Sequence, residues 1–206
     1  MGPRALSSQR SVCGHMKWLV SFSALISVVM SWGPLGHSLI GSIAQIRLTP
    51  RAQHKVRQIL SESRDPTLAG IASWADQIKG SRTVDYSWAA QLHFVNTKSW
   101  ACKFTPVVDC PKPGSCVVDA ISNYSQRLAI NDKQVQSEAL KFLVHFVGDV
   151  HQPLHVAFKD DRGGNNLRGN WAGFRGSLHA LWDAPLLRKR IDVDFQGRPV
   201  SYEKYL

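Results

Sequence analysis

Two histidine–aspartate pairs, each spaced by four residues, constrain the fold of this chain more than any other feature of its sequence. His145 precedes Asp149, and His179 precedes Asp183, in segments whose other residues are mainly apolar. Residues four apart lie on the same face of a helix, so each pair would point into the interior of a helical protein. Buried polar groups of this kind need compensation, and a bound metal ion supplies it.

Further nitrogen and oxygen donors extend the two pairs into a larger set of possible metal ligands. Donors of these types, without thiolates, suit zinc at a catalytic site. Any one of the histidines taken alone is better explained as an ordinary core or polar residue. The set begins at a tryptophan, whose side chain cannot bind zinc and which could take part only as a free N-terminus. The candidate ligands are Trp32, His37, Asp76, His93, His145, Asp149, His155, His179 and Asp183.

Composition agrees with one folded, basic domain. The 206 residues are enough for a sizeable core, and a hydrophobic content of 44% excludes a disordered chain. The formal net charge of +10 favours polyanionic partners such as nucleic acid or an anionic membrane. The alternative reading of this charge is simply a soluble basic surface.

Residues 1–31 are predicted to be an N-terminal extension followed by a cleaved signal peptide. Lys17 precedes an apolar stretch from Trp18 to Met30, which is shorter than the roughly 20 residues that a membrane-spanning helix needs. Small residues allow cleavage after Ser31, which would make Trp32 the new N-terminus. We therefore expect a secreted protein, or one in the secretory-pathway lumen, without stable membrane association. The alternative is an uncleaved membrane anchor.

A secretory route also bears on the cysteines and on one asparagine. Cys110 and Cys116 flank a turn-rich segment and could form a small disulfide, which leaves Cys102 without an obvious partner. Asn123 begins the sequence Asn-Tyr-Ser, so it is a candidate for glycosylation.

Periodicity predicts a mainly helical, all-α domain over residues 32–190. Thr49 and Asp65 each precede a proline, a pattern typical of the start of a helix. The remaining segments, 98–117 and 159–176, are predicted to be loops, and 191–206 is predicted to be a poorly ordered tail. One predicted helix begins near His37. The others are predicted to span 50 to about 60, 66 to about 78, 117–130, 134–150 and 177–190.

In the segments around the candidate metal ligands, the chain closely resembles the zinc-dependent class I nucleases. These are secreted single-strand nucleases of the fungal S-one and P-one type, with plant and protozoan relatives. The resemblance covers about 32–187, and the motifs occur in the family's order with nearly its spacing. The matching segments are Trp32-Gly-x-x-Gly-His37, Trp74-Ala-Asp76, His93-Phe94, His145-Phe-x-Gly-Asp149-x-His-Gln-Pro-Leu-His155, Gly163-Gly-Asn165 and His179-x-x-Trp-Asp183.

The resemblance implies a fold of the zinc phospholipase C and class I nuclease type, with three zinc ions. Asp149 would bridge two of them. The implied ligand sets are Asp76, His93, His145 and Asp149 for one zinc; the amino group and carbonyl of Trp32 with His37 and Asp149 for a second; and His155, His179 and Asp183 for the third.

The resemblance also implies roles for residues near the metals. Asp76 would orient the attacking water, and Lys79 and Asn165 would stabilise charge on the phosphoryl group. Phe94 would stack on an unpaired base. Asn96 stands where the family commonly has an aspartate linked to the base edge, so base preference is expected to differ. In the alternative interpretation, Lys79 is a surface lysine, Asn165 is a turn asparagine and Phe94 is a packed core residue.

The function implied is a secreted, zinc-dependent endonuclease. It would hydrolyse single-stranded DNA and RNA to 5′-phosphate products, with 3′-nucleotidase activity on mononucleotides as a further expectation, and act as a monomer. Two alternatives stand beside it: a zinc phospholipase C, and an inactive truncated zinc-binding fragment. The second arises because the family usually continues for several dozen residues beyond the position of Leu206, with a late cysteine that pairs with the counterpart of Cys102.

Overall fold

The computed structural model describes residues 32–79, 84–98 and 102–206, and their regular structure is almost entirely helical. This confirms the all-α prediction; the one sheet among these residues is the hairpin of β1 (Arg168–Trp171) and β2 (Phe174–Ser177). The predicted signal peptide lies outside the described residues. No helix in the described part of the chain is long and apolar enough to cross a membrane. The helices are α1 (Pro34–Arg47), α2 (Pro50–Ile59), α3 (Leu68–Ile71), α4 (Trp74–Ile78), α5 (Pro106–Asp109), α6 (Val117–Arg127), α7 (Lys133–Val150), α8 (Leu178–Asp183), α9 (Pro185–Asp194) and α10 (Pro199–Tyr205), with 3-10 helices at Ser87–His93 and Pro153–Val156.

Helix α7 is the central element, in contact with α1, α3, α4 and α6. The side chain of Asp132 caps it by accepting from the backbone N–H groups of Gln134 and Val135, which satisfies two otherwise unpaired donors. Phe142 and Phe146 are buried on α7 and pack with Tyr124 of α6 in the larger core cluster. The same helix therefore holds the core together and carries the first histidine–aspartate pair.

The predicted helix from 66 to about 78 is wrong in one respect: it is two helices. The side-chain oxygen of Thr67 caps α3 by accepting from Gly70 N, and the helix ends at Ile71. Two residues, Ala72 and Ser73, separate it from α4. The break releases the carbonyl of Ala72 from a helical ladder. That carbonyl accepts a hydrogen bond from His145 Nδ1 instead. The break between the helices thus provides the backbone acceptor that orients a buried histidine.

The predicted glycine-rich loop at 159–176 is also wrong in part, because it contains the β-hairpin. Ala172 and Gly173, with φ of 49° and 87°, form the two-residue turn. Two consecutive positive φ angles give the turn whose twist suits antiparallel strands. The predicted helix 177–190 is interrupted at Ala184, because Pro185 disfavours helical backbone in the residue before it.

The tail at 191–206, predicted to be poorly ordered, instead contains the end of α9 and the whole of α10. The ring of Phe195 lies 5.0 Å from that of Tyr202 and 5.3 Å from that of Tyr205. Helix α10 also contacts α1. The prediction was wrong because aromatic side chains between and within two short helices pack together, a tertiary effect that local periodicity does not report.

Candidate metal centre

The structure brings the eight side-chain ligands predicted from the sequence into three groups of donors. Seven of these side chains are buried, and His145, Asp149 and His155 have no exposed surface. Helix α7 supplies His145 and Asp149, while the other members come from α1, α4, α8 and the two 3-10 helices. The groups are His37, His145 and Asp149; Asp76, His93 and His145; and His155, His179 and Asp183.

The group around His93 has the dimensions of a tetrahedral zinc site. His93 Nδ1 lies 2.9 Å from Asp149 Oδ2 and 3.0 Å from His145 Nε2. His145 Nε2 lies 3.4 Å from Asp149 Oδ2, and Asp76 Oδ1 lies 3.7 Å from His145 Nε2 and 4.0 Å from His93 Nδ1. Ligands about 2.05 Å from a tetrahedral zinc are about 3.3 Å from one another. The donors therefore surround a space of the right size for this ion.

Asp149 links the groups because its two oxygens face different partners. Oδ2 lies 2.9 Å from His93 Nδ1 and 3.4 Å from His145 Nε2. Oδ1 lies 3.6 Å from His37 Nε2 and 3.6 Å from His155 Nδ1. A carboxylate arranged in this way can bind two metal ions, one through each oxygen.

Backbone carbonyls fix the tautomers of three of the histidines. Nδ1 of His145 donates to Ala72 O over 2.7 Å, Nδ1 of His155 to His93 O over 2.6 Å, and Nδ1 of His179 to Gly163 O over 2.6 Å. A carbonyl can only accept, so each Nδ1 carries the proton and each neutral ring keeps a lone pair on Nε2. Nε2 of His155 is buried and has no hydrogen-bond partner among the described residues, as expected for an atom that binds a metal.

The ring of His37 is held between two residues of α7. It stacks on the ring of His145 with 4.0 Å between centroids and an interplanar angle of 16°. On the same helix, a β-carbon added to Gly148 would lie 2.4 Å from His37 Nδ1. Only glycine allows the imidazole to approach the helix this closely.

The segment that begins at Trp32 lies beside the third group. Gly33 N donates to Asp183 O over 2.7 Å. A β-carbon on Gly36 would lie 2.9 Å from the Trp32 ring, so the tryptophan folds back over the start of α1. The backbone of Trp32 is thus anchored near the donors, which is compatible with its proposed role as a ligand through its amino group and carbonyl.

Burial controls the charge state of the donors. Desolvation lowers the pKa of His37 to about 2, of His155 to about 3 and of His145 to about 4, with neighbouring histidines adding to the shift in His37 and His155. The pKa of Asp149 is raised well above its usual value, mainly by burial and next by repulsion from Asp76. Burial also raises the pKa of Asp183 to about 8. Neutral imidazoles suit metal binding, and the buried carboxylates need a nearby cation to stay ionised.

Gln152 is a buried member of this site that the sequence analysis did not assign. Its Nε2 donates to Asp183 Oδ1 over 2.7 Å, and its Oε1 accepts from Leu154 N over 2.6 Å. It thereby connects Asp183 of α8 to the 3-10 helix that carries His155. It stands inside the motif from His145 to His155, but a glutamine has no distinctive spacing that would have indicated this role.

The residues predicted to be catalytic or substrate-binding lie beside the candidate ligands. Lys79 Nζ is 2.6 Å from Asp76 Oδ1, and both side chains are largely shielded from solvent. Phe94, Asn96 and Asn165 line one small cavity of about 70 Å³, together with Leu154, Arg162 and the candidate ligand His179. Arg162, which sequence reasoning missed, has a φ of 54° and an exposed side chain. No motif signals it, because its position depends on the turn before Gly163.

The Cys110–Cys116 disulfide is present, as predicted. Cys102 is an exposed free thiol. Asn123 is exposed on α6, so its side chain is accessible; its glycosylation stays a prediction.

A family model described as S1/P1 nuclease matches residues 32–203. The chain is 35% identical over 190 residues to Endonuclease 3 of Arabidopsis thaliana, which covers 87% of this chain and 64% of that relative. It is 38% identical over 185 residues to Nuclease P1 of Penicillium citrinum, covering 85% of this chain and 65% of the relative. The chain therefore spans somewhat less than two thirds of the length of these curated relatives.

Proposed function

Since the chain belongs to the S1/P1 nuclease family, we propose that it is a zinc-dependent endonuclease. Its substrates would be single-stranded DNA and RNA, cleaved to products with 5′-phosphates, with mononucleotides as further substrates for a 3′-nucleotidase activity. The observation that carries the proposal is the convergence of buried nitrogen and oxygen donors on Asp149, in a family whose named relatives are nucleases.

The three groups of donors would hold three zinc ions. Each such ion would neutralise charge on the anionic phosphodiester and lower the pKa of water near it. The side chains supply mixed nitrogen and oxygen donors without thiolate, which suits catalytic zinc. The residues that would hold the ions are Asp76, His93, His145 and Asp149 for the first; Trp32, His37 and Asp149 for the second; and His155, His179 and Asp183 for the third.

The chain's own charged and polar groups would act on the phosphoryl group. The ammonium of Lys79 is fixed 2.6 Å from Asp76 Oδ1 in a largely shielded position, where a positive charge stabilises developing negative charge better than it does in water. Asp76 would accept a hydrogen bond from the attacking water and so orient it. Asn165 uses one of its two side-chain N–H groups to donate to Arg162 O, and the other would donate to the phosphoryl group.

Phe94 gives a physical reason for preferring unpaired strands. Its half-buried ring lines the cavity against His179, one residue after the candidate ligand His93. A base can stack on this ring only if it is not already stacked and paired in a duplex. Asn96 lines the same cavity, where an amide can both donate to and accept from a base edge.

The decisive experiment combines elemental analysis with hydrolysis assays on purified protein that begins at Trp32. We expect bound zinc, hydrolysis of single-stranded DNA, loss of hydrolysis with a chelator and recovery on adding zinc. Phosphatidylcholine and double-stranded DNA serve as comparison substrates. Hydrolysis of the lipid in preference to DNA would support the phospholipase alternative, and zinc binding without hydrolysis of either would support the inactive fragment.

A further inference from the structure

Two chain segments run side by side away from the metal centre, and each starts at a candidate ligand. One follows His93 and the other follows His155. Val95 N donates to His155 O over 2.8 Å, Thr97 N to Ala157 O over 2.9 Å, and the two segments pair in parallel at Thr97 and Phe158. The register of the two segments is therefore fixed by backbone hydrogen bonds.

Each of the paired segments ends in a lysine. Lys159 N donates to Thr97 O over 3.0 Å, which sets Lys159 beside Lys98 at the far end of the pair. An extended chain advances about 3.3 Å per residue, so the backbones of the lysines lie within about 17 Å of His93 and about 13 Å of His155 along their own segments. The pair thus connects the metal centre to a basic surface by a short and rigid path.

A groove of about 290 Å³ contains both lysines and continues from the site. We call this the lysine groove; among its lining residues are Phe94, Asn96, Lys98, Asp109 and Lys159. Phe94 and Asn96 also line the small cavity against His179. The two concavities therefore meet at the ring proposed to stack on a base.

The charge of the lysine groove is available to a ligand. The side chains of Lys98 and Lys159 are exposed, and neither forms an ion pair with a described residue. The lining also holds one acid, Asp109, which accepts a hydrogen bond from Thr105 N over 2.6 Å, so two lysines and one aspartate give these residues a formal charge of +1. Two ammonium groups beside an aromatic ring match the alternation of phosphates and bases in a single strand.

We propose that the lysine groove binds the part of a single-stranded nucleic acid that adjoins the nucleotide on Phe94, with Lys98 and Lys159 contacting its phosphates. This rests on the proposed function, of which it specifies the substrate: a polynucleotide would be bound more tightly than a mononucleotide. The contacts are to the backbone, so they contribute to affinity for any sequence and weaken as salt rises.

The test is a Lys98→Gln/Lys159→Gln variant compared with a Lys55→Gln/Lys189→Gln control, which removes the same charge from exposed positions outside the lysine groove. Binding of a fluorescent single-stranded oligonucleotide of roughly twelve nucleotides, with phosphorothioate linkages that resist hydrolysis, is measured on the zinc-loaded protein by anisotropy across a salt series. We expect affinity at low salt to fall on the order of tenfold and the salt slope to become shallower by about 1.4, since each phosphate contact with a single strand contributes about 0.7.

Hydrolysis of the unmodified oligonucleotide is measured in parallel. For the groove variant, KM for the oligonucleotide should rise while kcat/KM for a dinucleotide, too short to reach the lysines, stays within about twofold of wild type. Wild-type affinity in the groove variant, or an equal loss in the control, overturns the proposal. Groove-dependent binding without any hydrolysis by the wild type would instead refute the proposed function and leave the binding surface standing.

Discussion

Gln152 donates from Nε2 to Oδ1 of Asp183 over 2.7 Å, and both side chains are buried. The other end of the amide accepts from Leu154 N over 2.6 Å, so one side chain sets the distance between α8 and the turn before His155. Residues that orient metal ligands through hydrogen bonds typically change metal affinity by about 10–100-fold when removed. We therefore expect Gln152 to act as a positioning residue for the group of His155, His179 and Asp183.

A Gln152→Leu substitution should weaken zinc binding at that group by about 10–100-fold and leave the rest of the centre occupied. Leucine fills a similar volume but makes neither hydrogen bond. Competition with a chelator of known affinity measures the effect directly, without reference to activity. Gln126→Leu, at an exposed position on α6, is the control. Unchanged affinity for all bound zinc would refute the positioning role.

Asp149→Asn should abolish detectable hydrolysis and reduce the zinc content by more than one ion. The two carboxylate oxygens face different donors, at 2.9 Å from His93 Nδ1 and 3.6 Å from His37 Nε2, so one neutral amide affects two groups at once. Metal content by elemental analysis and single-strand DNA hydrolysis report the two effects. Asp192→Asn, which removes an exposed carboxylate, should change neither. Near-normal activity of the Asp149 variant would contradict the bridging assignment.

A Gly148→Ala substitution should stabilise helix α7 but disturb the position of His37, so it tests the site geometry separately from helix stability. Alanine favours a helix interior by up to about 1 kcal/mol relative to glycine. Here, however, the new β-carbon would lie 2.4 Å from His37 Nδ1 and force the imidazole to move. We expect loss of the zinc held by His37 while the far-ultraviolet circular dichroism spectrum stays helical. Retention of all zinc would show that the ring can shift without consequence.

The clustering of His145 with Asp149 could be predicted from the sequence, because spacing reports which face of a helix a side chain occupies. His145 and Asp149 follow this rule on α7. Gln152 could not be found this way. Its role depends on hydrogen bonds to residues of two different elements, and a buried glutamine has no characteristic period.

The parts of the fold that sequence reasoning missed depend on contacts rather than on local pattern. The hairpin turn at Ala172 and Gly173 combines a common alanine with one glycine, and only the pairing of Trp171 with Phe174 makes it a turn. The tail was missed because Phe195 is held by Tyr202 across the connection between α9 and α10. Both cases are tertiary packing that overrides weak local preference.

Replacing Cys110 and Cys116 by alanine should lower the free energy of unfolding by about 2 kcal/mol, the chain-entropy value for so short a loop. Both cysteines are buried in the larger core cluster, and Cys116 immediately precedes α6. Denaturant midpoints under oxidising conditions measure the change. Cys102→Ser, at an exposed free thiol, should shift stability by no more than about 0.5 kcal/mol. Equal effects of the two changes would contradict the assignment of stability to the disulfide.

The role of Trp32 can be tested with two proteins that differ by a single residue, one beginning at Trp32 and the other retaining Ser31. The Trp32 segment is anchored in both by the hydrogen bond from Gly33 N to Asp183 O over 2.7 Å. A free amino group has a lone pair for a metal once its proton is lost, whereas the nitrogen of a peptide bond does not, because resonance withdraws that pair into the amide. The longer protein should bind one zinc fewer and hydrolyse single-stranded DNA at least tenfold more slowly, on the scale of losing a metal ligand or its support. Equal zinc content and equal rates would remove Trp32 from the ligand set and leave His37 and Asp149 as the donors of that group.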